Sequence, residues 1–236
     1  MARRPERPTA ESGRPDRERI VAAFMELLAE RPFEEIGFGD IAARAGVSLV
    51  DLRTAFGSKM AILAARAKEI DRRVLAGGEA DMAEEPARER LFDVLMRRLE
   101  IMAPEKEAVR SLMRSARRNP GLAFALNALA VRSQQWMLAA ADLDAPGPRG
   151  MFHAQGLALL FASVLRTWVR DDDPGLARTM AVLDRELGRG QRWVGFLDDL
   201  CRLSPTRLCR RREDRYERHE RMRPRHGSGD EEATAV

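Results

Sequence analysis

Between Asp40 and Leu63 small residues, one glycine and a capping pair recur at spacings that suit two short helices meeting at a sharp turn. Ala42, Ala43 and Ala45 keep the first helix thin, so a second can approach closely. Gly46 falls where that helix needs a left-handed residue to stop. Val47 is an apolar plug between the two, and Ser48 with Asp51 three residues on forms a capping box that starts the second helix. Leu52 and Phe56, at i and i+4, turn inward. These are the parts of a helix-turn-helix. In such a motif the second helix meets the DNA major groove with its N-terminal residues, so Ser48, Leu49, Val50, Arg53 and Thr54 are expected to face outward. Ser58 and Lys59 open the next helix, where free N–H groups, the dipole and the lysine charge suit a DNA phosphate.

The rest of the chain is also punctuated as helices. Ile20, Ala23, Phe24, Leu27 and Leu28 mark one face of a helix that ends before Pro32, and Ile62, Leu63, Ile70 and Val74 mark the inward face of the helix begun at Ser58. Gly77-Gly78 and the acidic residues that follow make a boundary. Beyond it Pro86, Pro104, Pro120 and Pro174 stand where proline opens a helix, with Asn119 and Asp173 as caps. This predicts helices over 86–102, 104–117, 120–142, 149–171, 174–187 and 190–203. No segment alternates with the period of a strand, and aromatic residues, at 6%, are too scarce for a sheet-rich fold. The expectation is an all-α chain in four parts: a disordered basic arm over 1–15, a helix-turn-helix domain over 16–76, a helical ligand-binding and dimerisation domain over 84–203, and an Arg-rich tail over 204–236.

Several functions are disfavoured. Gly37-Phe38-Gly39 followed by Ala42 imitates a dinucleotide fingerprint, but no hydrophobic strand precedes it. His153 has no Cys, Asp or Glu set around it, and Cys201 and Cys209 lack metal-ligand spacing, so no metal site, cofactor or enzyme chemistry is expected. The first 19 residues hold no apolar run of the signal-peptide kind, and the apolar run 157–165 is too short to span a bilayer. A cytoplasmic protein follows as the expectation. Trp193, Val194, Phe196, Leu197, Leu200 and Cys201 read as core or dimer interface; Asp198 and Asp199 beside them argue against a membrane surface. A net charge of +4 favours phosphates as partners, although lysine occurs only at 59, 68 and 106, which also fits an Arg-rich genome bias. Met113, Trp136, His153, Phe161 and Trp168 are the candidates for lining a pocket for a small apolar ligand, with core packing as the plainer role.

Residues 17 to about 75 resemble the DNA-binding domain of the TetR family of repressors, through the 20–28 helix, Asp40-Ile41-Ala42, Ala45-Gly46-Val47-Ser48, Leu52, Phe56 and Ser58-Lys59 with Ile62-Leu63. The resemblance implies a homodimer on a double-stranded operator, modulated by a ligand. It departs at Asp51, where the family usually has Thr or a small residue, and at Arg53 and Ala55, where it usually has aromatics. Asp51 adds negative charge beside the proposed DNA face and Arg53 returns a positive one. Residues 171–185, with Gln135-Trp136 and 117–120, are similar to the TetR-fold lipid-binding proteins of ubiquinone biosynthesis, which implies the alternative of a lipid or isoprenoid carrier without DNA binding.

Overall fold

A computed structural model describes residues 14–77 and 85–203, with side chains over 16–77 and 85–190. The expected arm, the tail, Cys201, Cys209 and the apolar face from Trp193 lie outside the described side chains. The described residues contain helices and no strand. In chain order the helices are α1 (Arg14–Glu30), α2 (Phe38–Ala45), α3 (Leu49–Ala55), α4 (Lys59–Ala76), α5 (Ala87–Met102), α6 (Lys106–Arg118), α7 (Pro120–Ala140), α8 (Gly147–Trp168) and α9 (Ala177–Leu203). Residues to Gln191 form one compact unit, and a second begins at Arg192.

Two apolar cores lie within the first unit. One gathers Ile20, Phe24, Leu27 and Leu28 of α1 with Leu52, Phe56, Ile62 and Leu63, which the sequence pattern turns inward, and with Ile41. Ala108 of α6 is buried in the same core, and Leu112, Leu126 and Leu129 pack on it, so α6 and α7 close the base of the helix-turn-helix. Each such aliphatic side chain contributes about 1.5–3 kcal/mol when fully buried. The other core joins Ile70 and Val74 of α4 to Leu95 and Leu99 of α5, Met137 of α7, Phe161 and Trp168 of α8, and Leu183 and Leu187 of α9. Helix α4 thus has one end in each core.

Several boundaries differ from the sequence expectation: α8 spans Gly147–Trp168 where 149–171 was expected, Pro86 is the N-cap of α5 rather than its first residue, and Pro104 lies in a 3-10 turn before α6. A single helix covers 177–203 where two were expected. Gly188 and Gly190 carry no proline beside them, and a helical glycine costs only about 1 kcal/mol relative to alanine. Pro174 lies before α9 rather than at its first turn. The Asp173 carboxylate accepts from the N–H groups of Gly175 (3.2 Å) and Ala177 (3.2 Å), closing a turn, and Leu176 takes a left-handed φ of 51°. Asn119 does cap α7 as expected, accepting from Leu122 N–H at 3.0 Å with Pro120 first in the helix.

Candidate nucleic-acid interface

Gly46 terminates α2 with φ 63°, a conformation that costs glycine nothing, and Val47 N–H reaches back to Ala42 O at 3.0 Å. Val47 is half-buried and Ala45 buried; Ala43 turns to solvent, so only two of the three alanines line the helix crossing. The next helix starts at a complete capping box. Ser48 Oγ accepts from Asp51 N–H (3.1 Å), Asp51 Oδ2 accepts from Ser48 N–H (3.3 Å), and the Ser48 hydroxyl donates to the same carboxylate oxygen (2.6 Å). The negative charge of Asp51 is therefore turned onto the helix start. Leu52 and Phe56 anchor α3, and the Arg17 guanidinium stacks on the Phe56 ring at 4.2 Å while donating to Ala55 O.

The outward face of α3 carries Leu49, 58% exposed, and Val50, 74% exposed, beside Arg53 and Thr54. Thr54 donates its hydroxyl proton to Val50 O at 2.8 Å, which leaves its methyl and lone pairs outward. Ser58 is exposed and accepts from Ala61 N–H at 3.1 Å, so its own proton is available. The Ser48 hydroxyl, by contrast, is spent within the cap.

Lys59 stands differently from the sequence expectation of a free phosphate ligand. Its Nζ donates to Phe33 O (2.8 Å) and Ile36 O (2.9 Å) and lies 4.2 Å from the centre of the Phe33 ring. The short 3-10 turn Phe33–Glu35 leaves carbonyls within reach of a lysine stem, and an ammonium under cover takes them. Burial lowers its pKa from the ordinary lysine value, with Glu34 partly opposing. The other cations of this region are also engaged. Arg44 pairs with Glu30 (2.9 Å) and Glu26 (3.4 Å) of α1, holding the Glu30 carboxyl below its usual range; Arg19 pairs with Asp16, and Arg31 with Asp40 at 3.6 Å. Between residues 16 and 60, Arg53 is the one cation without an ion pair or hydrogen bond among the described residues. Its guanidinium lies along the turn to α4, where a Cβ added at Gly57 would stand 3.5 Å from Nη1.

The fold match is now decisive. A TetR transcriptional regulator from Nitrosomonas europaea superposes with a TM-score of 0.59 at 25% identity, over 75% of this chain and 98% of that one. The chain has the TetR-family regulator fold. A second TetR regulator, from Rhodococcus sp. RHA1, matches with a TM-score of 0.52 at 20% identity, over 75% of this chain and 96% of its own. No sequence profile of a protein family matches the chain, and no curated protein does.

Within the TetR fold, the expected pocket residues scatter. Phe161 and Trp168 are buried in the second core and Met113 packs against it; His153 is half-buried on α8. Trp136 is 57% exposed on α7, outside both cores. Sequence reasoning missed a buried polar cluster in that core. Arg98 of α5 pairs with Asp71 of α4, and Ser133 of α7 donates to the same Asp71 oxygen at 2.6 Å. No described helix is long and apolar enough to cross a membrane, and no group of His, Cys, Asp and Glu among the described residues could hold a metal.

Proposed function

We propose that the chain is a TetR-type transcriptional regulator that binds operator DNA as a homodimer through residues 16–76 and is modulated by a small apolar ligand held within residues 84–203. One observation carries the reading. Helix α3 spends its capping residues on itself, anchors Leu52 and Phe56 inward, and still presents to solvent Leu49, Val50 and an Arg53 that has no partner among the described residues. Two large aliphatic side chains with no core to join suit the thymine methyl groups of the major groove, and a free guanidinium suits phosphate or a guanine edge. Thr54 and Ser58 flank them with a methyl and a hydroxyl proton.

The partner reading rests on α8. Phe152, Gly156 and Leu159 stand at i, i+4 and i+7 and are all exposed, with Met151 beside them. A stripe of this kind, with a glycine at its middle, suits the same stripe of a second copy packed across a two-fold axis. Selection from random DNA duplexes at physiological salt tests the operator reading. The expected product is a two-fold symmetric motif with half-sites spaced by whole turns, about 34–36 Å each. No sequence preference, together with recovery of a lipid or isoprenoid by solvent extraction of the protein, would overturn it in favour of a carrier.

A further inference from the structure

Helix α1 begins at Arg14, and its first turn is fastened to the far end of the reading helix. Arg17 donates to Ala55 O, the last residue of α3, and its guanidinium lies 4.2 Å from the centre of the Phe56 ring, the C-cap of that helix. Helix α3 has 7 residues, so its two ends are about 10 Å apart at 1.5 Å per residue. The chain before Arg14 therefore joins the fold beside the element that offers Leu49 and Val50 to DNA. Arg53, without a partner among the described residues, lies at this same end, along the turn to α4. The carboxylate of Asp16 at the root is already taken by Arg19.

Residues 1–13 lie outside the described residues, and their sequence restricts what they can do. After Met1 they hold no Val, Ile, Leu, Phe, Tyr or Trp, so they bring nothing to either core. Pro5 and Pro8 disfavour a helix there, by fixing φ and removing N–H donors. What remains is a set of guanidinium groups, Arg3, Arg4 and Arg7.

We propose that Arg3, Arg4 and Arg7 enter the DNA minor groove beside each operator half-site and favour A·T base pairs there. The inference rests on the operator reading and adds a second groove to it. A run of A·T pairs narrows the minor groove and deepens its negative potential, which attracts an inserted arginine. A guanidinium is also more weakly hydrated than an ammonium, so it enters a narrow groove at less cost. Glu6 and Glu11 keep the overall charge of the segment small, which suits placement in a groove better than general attraction to phosphates. The distances agree. With α3 in the major groove, the adjacent minor groove lies half a turn away, about 17 Å. Extended chain from Arg14 reaches up to about 25 Å at Arg7 and about 38 Å at Arg3.

The test uses the full-length protein and a variant carrying Arg3→Ala, Arg4→Ala and Arg7→Ala together. The probes are duplexes bearing the two-fold motif from the selection, flanked either by A·T or by G·C pairs. The wild type should bind the A·T-flanked duplex about tenfold or more tighter than the G·C-flanked one. The triple variant should lose that preference, keep its affinity for the G·C-flanked duplex within about threefold, and unfold at the wild-type Tm. Netropsin, which fills the A·T minor groove, should abolish the wild-type preference. Equal wild-type affinities for the two flanks, or equal losses on both in the variant, would overturn the proposal, the latter by placing the arginines on phosphates. A lowered Tm would overturn it too, by assigning the arginines to the fold. A recovered motif with flanks that make no difference fails the arginines alone. A selection that yields no motif fails the operator reading, and the same comparison then runs on random A·T-rich and G·C-rich duplexes. There an A·T preference lost in the variant keeps the minor-groove assignment, and its absence from the wild type overturns it.

Discussion

Asp51 and Lys59 carry opposite charges and exchange the roles that charge alone would assign them. A carboxylate at the start of a DNA-reading helix faces phosphate repulsion unless it is held elsewhere, and both Ser48 groups hold this one. Asp51→Ala should therefore cost about 0.5–2 kcal/mol of stability in thermal unfolding and change DNA affinity less than twofold. A large gain in affinity without loss of Tm would show that the carboxylate confronts the DNA. Lys59 is pinned by two carbonyls of the α1–α2 connection, while Phe33 N–H of that connection donates to Ser115 Oγ (3.2 Å) and Arg31 O accepts from Ser111 Oγ (3.1 Å) on α6. Lys59→Ala should lower the Tm and leave the slope of log affinity against log salt unchanged, since no phosphate contact is lost. A slope smaller by about one unit would return Lys59 to the phosphate backbone.

At the scale of elements, the join between α8 and α9 is a polar lock on an apolar pair of helices. Asp171 accepts from the Thr179 hydroxyl (2.7 Å), Thr179 N–H (2.9 Å) and Asp173 N–H (3.4 Å). These bonds, led by the Thr179 hydroxyl, hold its carboxyl below the usual carboxylate range. A carboxyl depressed in the folded state stabilises that state above its unfolded pKa, and the contribution disappears as pH falls through the folded value. Stability from this lock is thus complete at neutral pH and lost progressively below about pH 4. Asp171→Asn should lower the Tm at neutral pH and close most of its gap to the wild type at about pH 2. A gap that stays constant across that range would assign the effect to packing rather than to charge. Lys106 donates to Asp171 O and Arg110 Nε to Val169 O (2.9 Å), so the same join also fastens α6, which closes the base of the helix-turn-helix core.

Over the whole molecule, the proposed homodimer places the exposed apolar stripe of α8 at its interface. Phe152 and Leu159 are exposed on one stripe of that helix. Leu159→Arg should convert a dimer at micromolar concentration to a monomer of unchanged helicity in sedimentation and circular dichroism. Operator affinity should fall by more than about 100-fold, because two linked half-sites become one. A wild-type monomer, or a variant that still dimerises, would move the interface elsewhere.

The local elements were legible in the sequence because local rules decide them. Gly46 ends α2, Ser48 and Asp51 start α3, Asn119 and Pro120 open α7, and the inward set from Ile20 to Leu63 follows a helical period that burial then obeys. Charge destinations were not legible, since they depend on what folding brings near. Arg98 stands at an inward register between Leu95 and Leu99, and Asp71 beside Ile70, so each broke its apolar face in a readable way. Their pairing, across 27 residues, exists only once α4 and α5 pack. Likewise Lys59 reads as a surface cation until the carbonyls of Phe33 and Ile36 come within 3 Å of it. The sequence by itself determined the helices, their caps and the helix-turn-helix, because those forces act within a few residues; only the tertiary structure decided which buried polar atoms find a partner, because that depends on distances between helices far apart in the chain.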